Sequence, residues 1–308
     1  MNSAVSDRQT RILSLGYDYE SQPKEDIDKC NLCASHVFTV ITHRDRYGYL
    51  AEASLCNVCG LVMLNPRMTS QAYTQFYGGT YRPLVSAYHG RLISPQSIQE
   101  EQRIYARLLA NFLRPFLNLE HRRSLLDIGG STGVVAEYLV QTFGFAATVL
   151  DPAPEELANA EQLGMKAVTG FLEDYDARNG ECFDLITLCQ TIDHLLDVST
   201  SLAKIKQLLH PQGLFFVDIV DFRAAYLRNH SVEEAIKIDH PYYLTESTVE
   251  TYLRRAGFHI LRKNYAPDHL HIGYVCAHGD VESNFLPSET EVRMFACEIR
   301  QIQNHRLV

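Results

Sequence analysis

The chain has 308 residues, 46% of them hydrophobic and 21% charged, the balance of a folded globular protein, which excludes disorder as its main state. A formal net charge of −9 argues against nucleic acid as the main partner, because phosphate backbones are held by clustered Lys and Arg. No stretch approaches the roughly 20 apolar residues of a membrane-spanning helix, and no apolar run follows a basic start at the N-terminus, so the chain is read as cytoplasmic, its eight cysteines being thiols or metal ligands.

Residues 1–26 are polar and aperiodic and are expected to form a flexible tail. The next window, 27–66, holds Cys30-Asn-Leu-Cys33 and Cys56-Asn-Val-Cys59, two CxxC knuckles with 22 residues between them. Each knuckle sets two sulfurs on one tight turn, and Cys30, Cys33, Cys56 and Cys59 together supply the tetrahedron that Zn²⁺ accepts. A closed four-sulfur shell leaves no open position for catalysis, so the expectation is a structural zinc ribbon. Between the knuckles, residues 37–42 alternate as a strand would and Arg46-Tyr-Gly-Tyr reads as a turn, which predicts a hairpin. The charges inside the ribbon (Arg44, Asp45, Arg46, Glu52) cancel, unlike those of a ribbon that reads nucleic acid.

Residues 67–119 are expected to form an aromatic lid and a connecting helix. A short helix through Tyr73 and Phe76 precedes the glycine-bearing loop Phe76-Tyr-Gly-Gly-Thr-Tyr-Arg82, and from Ser97 the residues Ile98, Tyr105, Leu109, Phe112 and Phe116 recur at helical spacing. Over 120–280 strands and helices alternate: strand 124–128, helix 134–143, strand 147–151, helix 155–163, strand 183–189, helix 198–209, strand 213–218, a capped helix 245–255, and two strands near 258–265 and 271–277. This order, with a third strand taken to precede Phe171, predicts an α/β fold, a doubly wound, mostly parallel seven-stranded sheet covered on both faces. Residues 281–308 are read as a C-terminal helix. Cys182, Cys189, Cys276 and Cys297 lack ligand spacing and are read as buried thiols.

Leu126-Asp-Ile-Gly-Gly-Ser-Thr-Gly133 joins the first strand of this series to a helix. Glycines there let a ligand approach the backbone, and the helix N-terminus favours a carboxylate or phosphate. The dinucleotide pattern GxGxxG is absent. The loop resembles motif I of the class I S-adenosylmethionine (SAM) methyltransferases, DxGxGxG, at Asp127, Gly129 and Gly133, with Gly130 inside it and Ser131 in place of the middle glycine. That serine implies a backbone without positive φ. Asp151-Pro152 ends the second strand, where the resemblance implies a carboxylate on the ribose hydroxyls; Phe171-Leu172-Glu173 stands where the family surrounds adenine; Gln190 and Thr191 follow the fourth strand; and Leu208-Leu-His-Pro-Gln-Gly213 is similar to the family's turn after the next helix. The resemblance covers about 120–278 and implies a Rossmann-like methyltransferase whose SAM is held by these residues. Tyr77 and Tyr81 of the aromatic loop are candidates to close over SAM or substrate.

The four-cysteine ribbon joined to such a domain resembles the zinc-containing methyltransferases of nucleotide-linked sugars, through Cys56-Asn-Val-Cys-Gly-Leu-Val-Met-Leu-Asn-Pro-Arg67 and Asp239-His-Pro-Tyr-Tyr-Leu244. In the sugar C-methyltransferase branch a Glu-His pair and a histidine after the fourth strand line the reaction site. Asp239-His240 and His194 stand at those positions, and Lys237 stands where that branch has a tyrosine. The resemblance implies methyl transfer to a small polar acceptor, a sugar or sugar nucleotide, at O, N or C, with a histidine base: His194, or His240 oriented by Asp239. Two other classes fit parts of the pattern: a SAM-binding, zinc-ribbon adaptor without chemistry, and an NAD(P)-dependent sugar-modifying enzyme, which the missing GxGxxG disfavours.

Overall fold

Short apolar runs too brief for helices alternate with amphipathic segments, and the chain winds them into a sheet with helices on both faces. The computed structural model describes residues 2–117, 123–176 and 180–304. Its elements are α1 (Asn2–Leu13), β1 (Lys24–Glu25), β2 (Phe38–Arg44), β3 (Leu50–Cys56), β4 (Val62–Leu64), β5 (Arg67–Met68), α2 (Ser70–Gln75), a π-helical turn (Phe76–Thr80), α3 (Tyr81–His89) and α4 (Pro95–Leu113). They continue with β6 (Arg123–Ile128), α5 (Val134–Phe143), β7 (Phe145–Asp151), α6 (Pro154–Gln162), β8 (Lys166–Thr169), β9 (Phe183–Leu188), α7 (Val198–Leu208), β10 (Leu209–Val220) and α8 (Phe222–Asn229). The last are β11 (Tyr242–Tyr243), α9 (Glu246–Arg255), β12 (Phe258–Tyr265), β13 (His271–His278) and α10 (Glu289–Asn304).

The seven-stranded sheet has the order β12-β13-β10-β9-β6-β7-β8, with β13 antiparallel to both its neighbours and the strands from β10 to β8 parallel. Leu125, Leu126, Leu185 and Ile186 are fully buried, as a sheet covered on both faces requires. The turn expected at His210–Gly213 lies within β10, whose pairing with β9 breaks between Leu209 and Leu214. The four residues between them leave the ladder there without ending the strand.

The ribbon forms a second sheet, β11-β4-β3-β2, and its outer strand β11 comes from the far end of the chain, with Tyr242 opposite Met63. Cys30, Cys56, Cys59, Leu61 and Met63 share one hydrophobic cluster with Leu126, Ile128 and Leu188 of the large sheet. Asn31, between the first two cysteines, donates to Asp197 Oδ1 at 2.8 Å and accepts from the Ser199 amide at 3.1 Å, which ties the knuckle to the start of α7.

Three expectations are corrected. Residues 1–26 are not a loose tail: α1 docks through Ile12, Tyr19 is fully buried, Arg11 Nε donates to the Ala87 carbonyl at 2.8 Å, and β1 pairs with β5. A segment with so few apolar residues shows no periodicity, yet two well-placed anchors suffice to hold it. The aromatic loop is helical: Tyr77 packs edge to face on both Phe76 and Tyr81, Phe76 and Tyr81 are tilted against each other, and these ring contacts support a continuous turn through Gly78 and Gly79. Of the four cysteines read as buried thiols, Cys276 is buried and Cys189 half-buried, but Cys182 and Cys297 are exposed. The expected boundary at 119/120 and the last four residues of the expected C-terminal helix lie outside the described residues. Among the described residues no helix is long and apolar enough to cross a membrane.

Candidate functional site

The chain leaves β6 for β7 on one side while β9 lies on the other, so a crevice opens at the carboxyl ends of β6 and β9, the place where open α/β sheets bind ligands. Gly129 is required there twice over. Its φ is +67°, and a Cβ would lie 2.4 Å from Thr191 Oγ1. Ser131, expected to need no positive φ, has φ +50°. A left-handed non-glycine residue costs roughly 1–2 kcal/mol. Two bonds hold it: its N–H donates to Asp151 Oδ2 at 2.9 Å, and its hydroxyl donates to Glu156.

The cleft has a volume of about 900 Å³ including its open mouth. It is lined by Tyr77, Tyr81, Gly129, Ser131, Asp151, Pro152, Leu172, Gln190, Thr191 and His194 among the residues singled out in the sequence. Asp127 and Gly130 line an adjoining recess that shares Gly129, Ser131 and Gln190 with the cleft. Gly133 lines neither; it opens α5, and a Cβ on it would lie 2.7 Å from that of Ala160. The cleft also includes Arg82, Glu156, Gly170 and Phe171. Arg82 Nε donates to Glu156 Oε1 at 2.9 Å, fastening α3 across the mouth to α6. Neither residue carries a motif; only the fold brings positions 82 and 156 together.

Asp127 is fully buried. Its Oδ1 accepts from the Thr187 hydroxyl at 2.7 Å, while Oδ2 is buried with no partner among the described residues. Burial, with Asp151 adding to it, pushes this carboxyl up to about 7, against the Thr187 bond. Asp151 accepts from the Ala153 and Ser131 amides, one on each oxygen, and burial still raises it to about 6.

His194 ends a short turn after β9. Its Nδ1 lies 2.7 Å from the Tyr77 hydroxyl and 3.1 Å from the Asp239 carbonyl, and that hydroxyl donates to the same carbonyl at 2.9 Å. A carbonyl only accepts, so the network closes with a proton on Nδ1 and leaves the Nε2 lone pair without a partner among the described residues. Burial, with His240 beside it, lowers His194 to about 4, against the pull of Asp193 and Asp239, so the ring is neutral near pH 7.

The His240 ring lies 4.4 Å from that of His194 but lines a different cavity, and Asp239 lies behind it. His240 Nδ1 is 2.8 Å from Asp193 Oδ2, and its Nε2 is 3.3 Å from both Asp239 Oδ2 and Lys237 Nζ. Burial alone would raise the Asp193 carboxyl, but His240 holds it well below its ordinary range. Asp193 and Lys237 are the members of this cluster that the motifs missed, since nothing in the pattern ranks Asp193 above Asp239.

The four ribbon cysteines are free thiols with their sulfurs all within 4.8 Å of one another. Cys30 Sγ and Cys59 Sγ are 3.5 Å apart, as are those of Cys33 and Cys56, close to the edge of about 3.8 Å that a tetrahedral zinc thiolate site would have.

A family model described as "Methyltransferase domain" matches residues 98–263, more than half of the chain. A curated relative, the ubiquinone biosynthesis O-methyltransferase of Paramagnetospirillum magneticum, is 30% identical over 109 residues, which are 34% of this chain and 42% of that protein. The chain thus spans less than half the length of that relative. The Burkholderia thailandensis 1,6-didemethyltoxoflavin-N1-methyltransferase, solved with bound 1,6-didemethyltoxoflavin and S-adenosylhomocysteine, superposes with a TM-score of 0.50 at 19% identity, covering 71% of this chain and 96% of that one. The methyltransferase solved with the Haloferax volcanii Trm112 activator gives a TM-score of 0.51 at 14% identity, covering 68% and 98%. At these identities the structural likeness is one of fold.

Proposed function

The chain belongs to the methyltransferase-domain family, and from that premise we propose that it transfers the methyl group of SAM to a hydroxyl of a small polar acceptor, with His194 as the base. The observation that carries this reading is an imidazole on the cleft wall, its Nδ1 engaged by Tyr77 and Asp239 and its Nε2 unengaged among the described residues.

SAM fits on a second observation: Oδ2 of Asp127 is buried with no partner among the described residues, and a ligand ammonium group would complete it. Asp151 keeps lone pairs for ribose hydroxyls after accepting its two amides. Gly129 and Gly130 let the loop pack closely on Thr191 and on Asp127 and Val149, while Pro152 and Leu172 would flank the adenine, Gln190 and Thr191 would line the cleft beside it, and Tyr77 and Tyr81 would cover its mouth. When bound, SAM supplies an electrophilic methyl group on a sulfonium. His194 takes the acceptor's hydroxyl proton at Nε2, and Asp193 and Asp239 stabilise the imidazolium that results. Cys30, Cys33, Cys56 and Cys59 would hold a structural zinc ion.

A sugar or sugar nucleotide is the first acceptor class, supported by the resemblance of residues 56–67 and 239–244 to sugar methyltransferases. The names of the curated relatives, which speak of ubiquinone biosynthesis, supply the second. The test is a screen of both classes for a SAM-dependent mass gain of one methyl group, alongside calorimetric titration with S-adenosylhomocysteine and NAD. His194→Ala is expected to slow transfer by about 100-fold or more while leaving S-adenosylhomocysteine binding intact. Full activity in that variant would remove the base, and NAD binding without any response to S-adenosylhomocysteine would overturn the reading.

A further inference from the structure

A second cavity, of about 790 Å³ including its mouth, lies beyond the His194–His240 ring pair and contains two cations that the roles above leave unused, Arg46 and Lys237. They are far apart in the chain and are set side by side by the ribbon's hairpin turn. Asp45 in that turn accepts from the Ile238 amide at 3.1 Å, and the Arg46 amide donates to the Ile236 carbonyl at 3.0 Å. The turn thereby clamps the residue on each side of Lys237. Asp45 also accepts from the amides of Tyr47 and Tyr49, so the clamp is built into the hairpin itself.

We propose that this cavity is an oxyanion subsite, in which Arg46 and Lys237 hold a phosphate or carboxylate group of the methyl acceptor; it rests on the methyl-transfer reading only in calling the ligand the acceptor. The Arg46 guanidinium lies over the Tyr88 ring, 4.3 Å from its centroid, and its Nε is buried with no partner among the described residues. Lys237 Nζ has one neighbour at hydrogen-bond range among the described residues, His240 Nε2 at 3.3 Å. An ammonium group has three protons to donate, so the site is under-supplied with acceptors. Arg228 adds a third positive charge on the same wall.

The cavity lining holds two carboxylates, Asp193 and Glu234, against its three cations, and Asp193 acts on Lys237 as well as on His240. Asp193 pairs with His240 at 2.8 Å, and Glu234 faces Arg8 at 3.6 Å while accepting from the Tyr88 hydroxyl at 3.3 Å. Burial lowers Lys237 from the ordinary ammonium range, with Asp239 acting against that shift, and an anion in the cavity would add to the same counter-effect. A planar guanidinium fixed by an aromatic face and a half-buried ammonium beside it are the donors that oxyanions select. In a chain of net charge −9, a cavity with this lining favours an anionic group over a neutral one.

The probes are inorganic pyrophosphate and malonate, titrated calorimetrically into the full chain, with S-adenosylhomocysteine titrated in parallel. At least one anion should bind saturably to the parent; the tighter one distinguishes a phosphate-bearing from a carboxylate-bearing acceptor. Lys237→Met and Arg46→Met should each weaken it by about tenfold or more, and Lys237→Arg should restore most of the loss. Arg228→Gln, at an exposed position that does not threaten folding, should weaken it by a few-fold. Failure of both anions to bind the parent, or equal affinity in the parent, Lys237→Met and Arg228→Gln, would overturn the subsite. S-adenosylhomocysteine binding without anion binding sinks the subsite alone, while anion binding without S-adenosylhomocysteine binding sinks the methyl-transfer reading and leaves the subsite standing.

Discussion

His240 Nδ1 lies 2.8 Å from Asp193 Oδ2, whereas Asp239, its neighbour in sequence, reaches the other ring nitrogen only at 3.3 Å. The carboxylate that orients this imidazole therefore comes from the turn after β9, forty-seven positions earlier in the chain. Asp239 serves the site mainly through its backbone carbonyl, which receives the Tyr77 hydroxyl and faces His194 Nδ1.

Removing Asp193 should be costly, because both members of the pair are buried and His240 would keep its desolvation with only the longer contact to Asp239, at 3.3 Å, as a carboxylate partner. Asp193→Ala is expected to lose about 3 kcal/mol of stability, seen as a lower urea midpoint at unchanged slope. A loss within ~0.5 kcal/mol would show that Asp239 alone suffices to hold the ring.

His194 makes stability depend on pH in a predictable sense. Its folded value near 4 lies below its ordinary 6.5, so the unfolded chain binds a proton that the folded chain refuses. Its contribution is complete above about pH 6.5 and is lost as pH falls toward 4. Asp127 and Asp151 act in the opposite direction, since their folded values near 7 and 6 are raised and their contribution is lost as pH rises. The difference between the parent and His194→Gln isolates the histidine: from about pH 7 to about pH 4.5 the parent should lose on the order of 2 kcal/mol relative to the variant. Parallel stability curves would contradict the buried neutral imidazole.

Cofactor affinity should follow the ionisation of Asp127. With its carboxyl raised to about 7, the carboxylate that would meet a ligand ammonium group is only partly formed near neutrality and is lost as pH falls. S-adenosylhomocysteine is expected to bind several-fold more tightly at about pH 8 than at about pH 6. Asp127→Asn should weaken binding by roughly tenfold or more at about pH 8, with the dependence attributable to this group removed. An identical pH profile in that variant would dissociate Asp127 from the cofactor.

Zinc should reach the histidines through the ribbon sheet. Cys56→Ser is expected to lose the bound metal, measured as zinc per chain, and to loosen β3 and β4 with it. Because β4 pairs with β11, hydrogen exchange should rise at Tyr242 and Tyr243 in this variant. Retained zinc would remove the four-thiolate site, and unchanged exchange at Tyr242 and Tyr243 would uncouple it from the segment that carries His240.

Apart from β8, whose four residues are exposed or half-buried, and α8, a short helix with little apolar periodicity, most of the alternating elements from Ser124 to Cys276 are legible in the chain because most of their strands are apolar runs and their helices have a cap or glycine stop. The capped helix at 246–255 shows this well, with Thr245 and Thr248 exchanging side-chain bonds at its start. The glycine loop and the cysteine knuckles are legible for the same reason, since each is a local arrangement spaced within one turn. The helix of residues 2–13 is not, because its hold on the fold comes from contacts with residues some seventy positions away. Ser131 is misleading in a similar way: its left-handed backbone is held by Asp151 and Glu156, which no local propensity anticipates.

By itself, then, the sequence shows most of the alternating elements, the two cysteine knuckles and the acidic and glycine residues of the loop after the first strand of the series, all properties of neighbours in the chain. Tertiary structure alone decides that Asp193 rather than Asp239 is the closer partner of His240, that Arg82 fastens to Glu156 across the mouth, and that the ribbon's turn sets Arg46 beside Lys237. The physical reason is range. Propensity, capping and periodicity act over a few residues, whereas charge pairing and desolvation depend on which distant segments the packed core brings within a few ångströms.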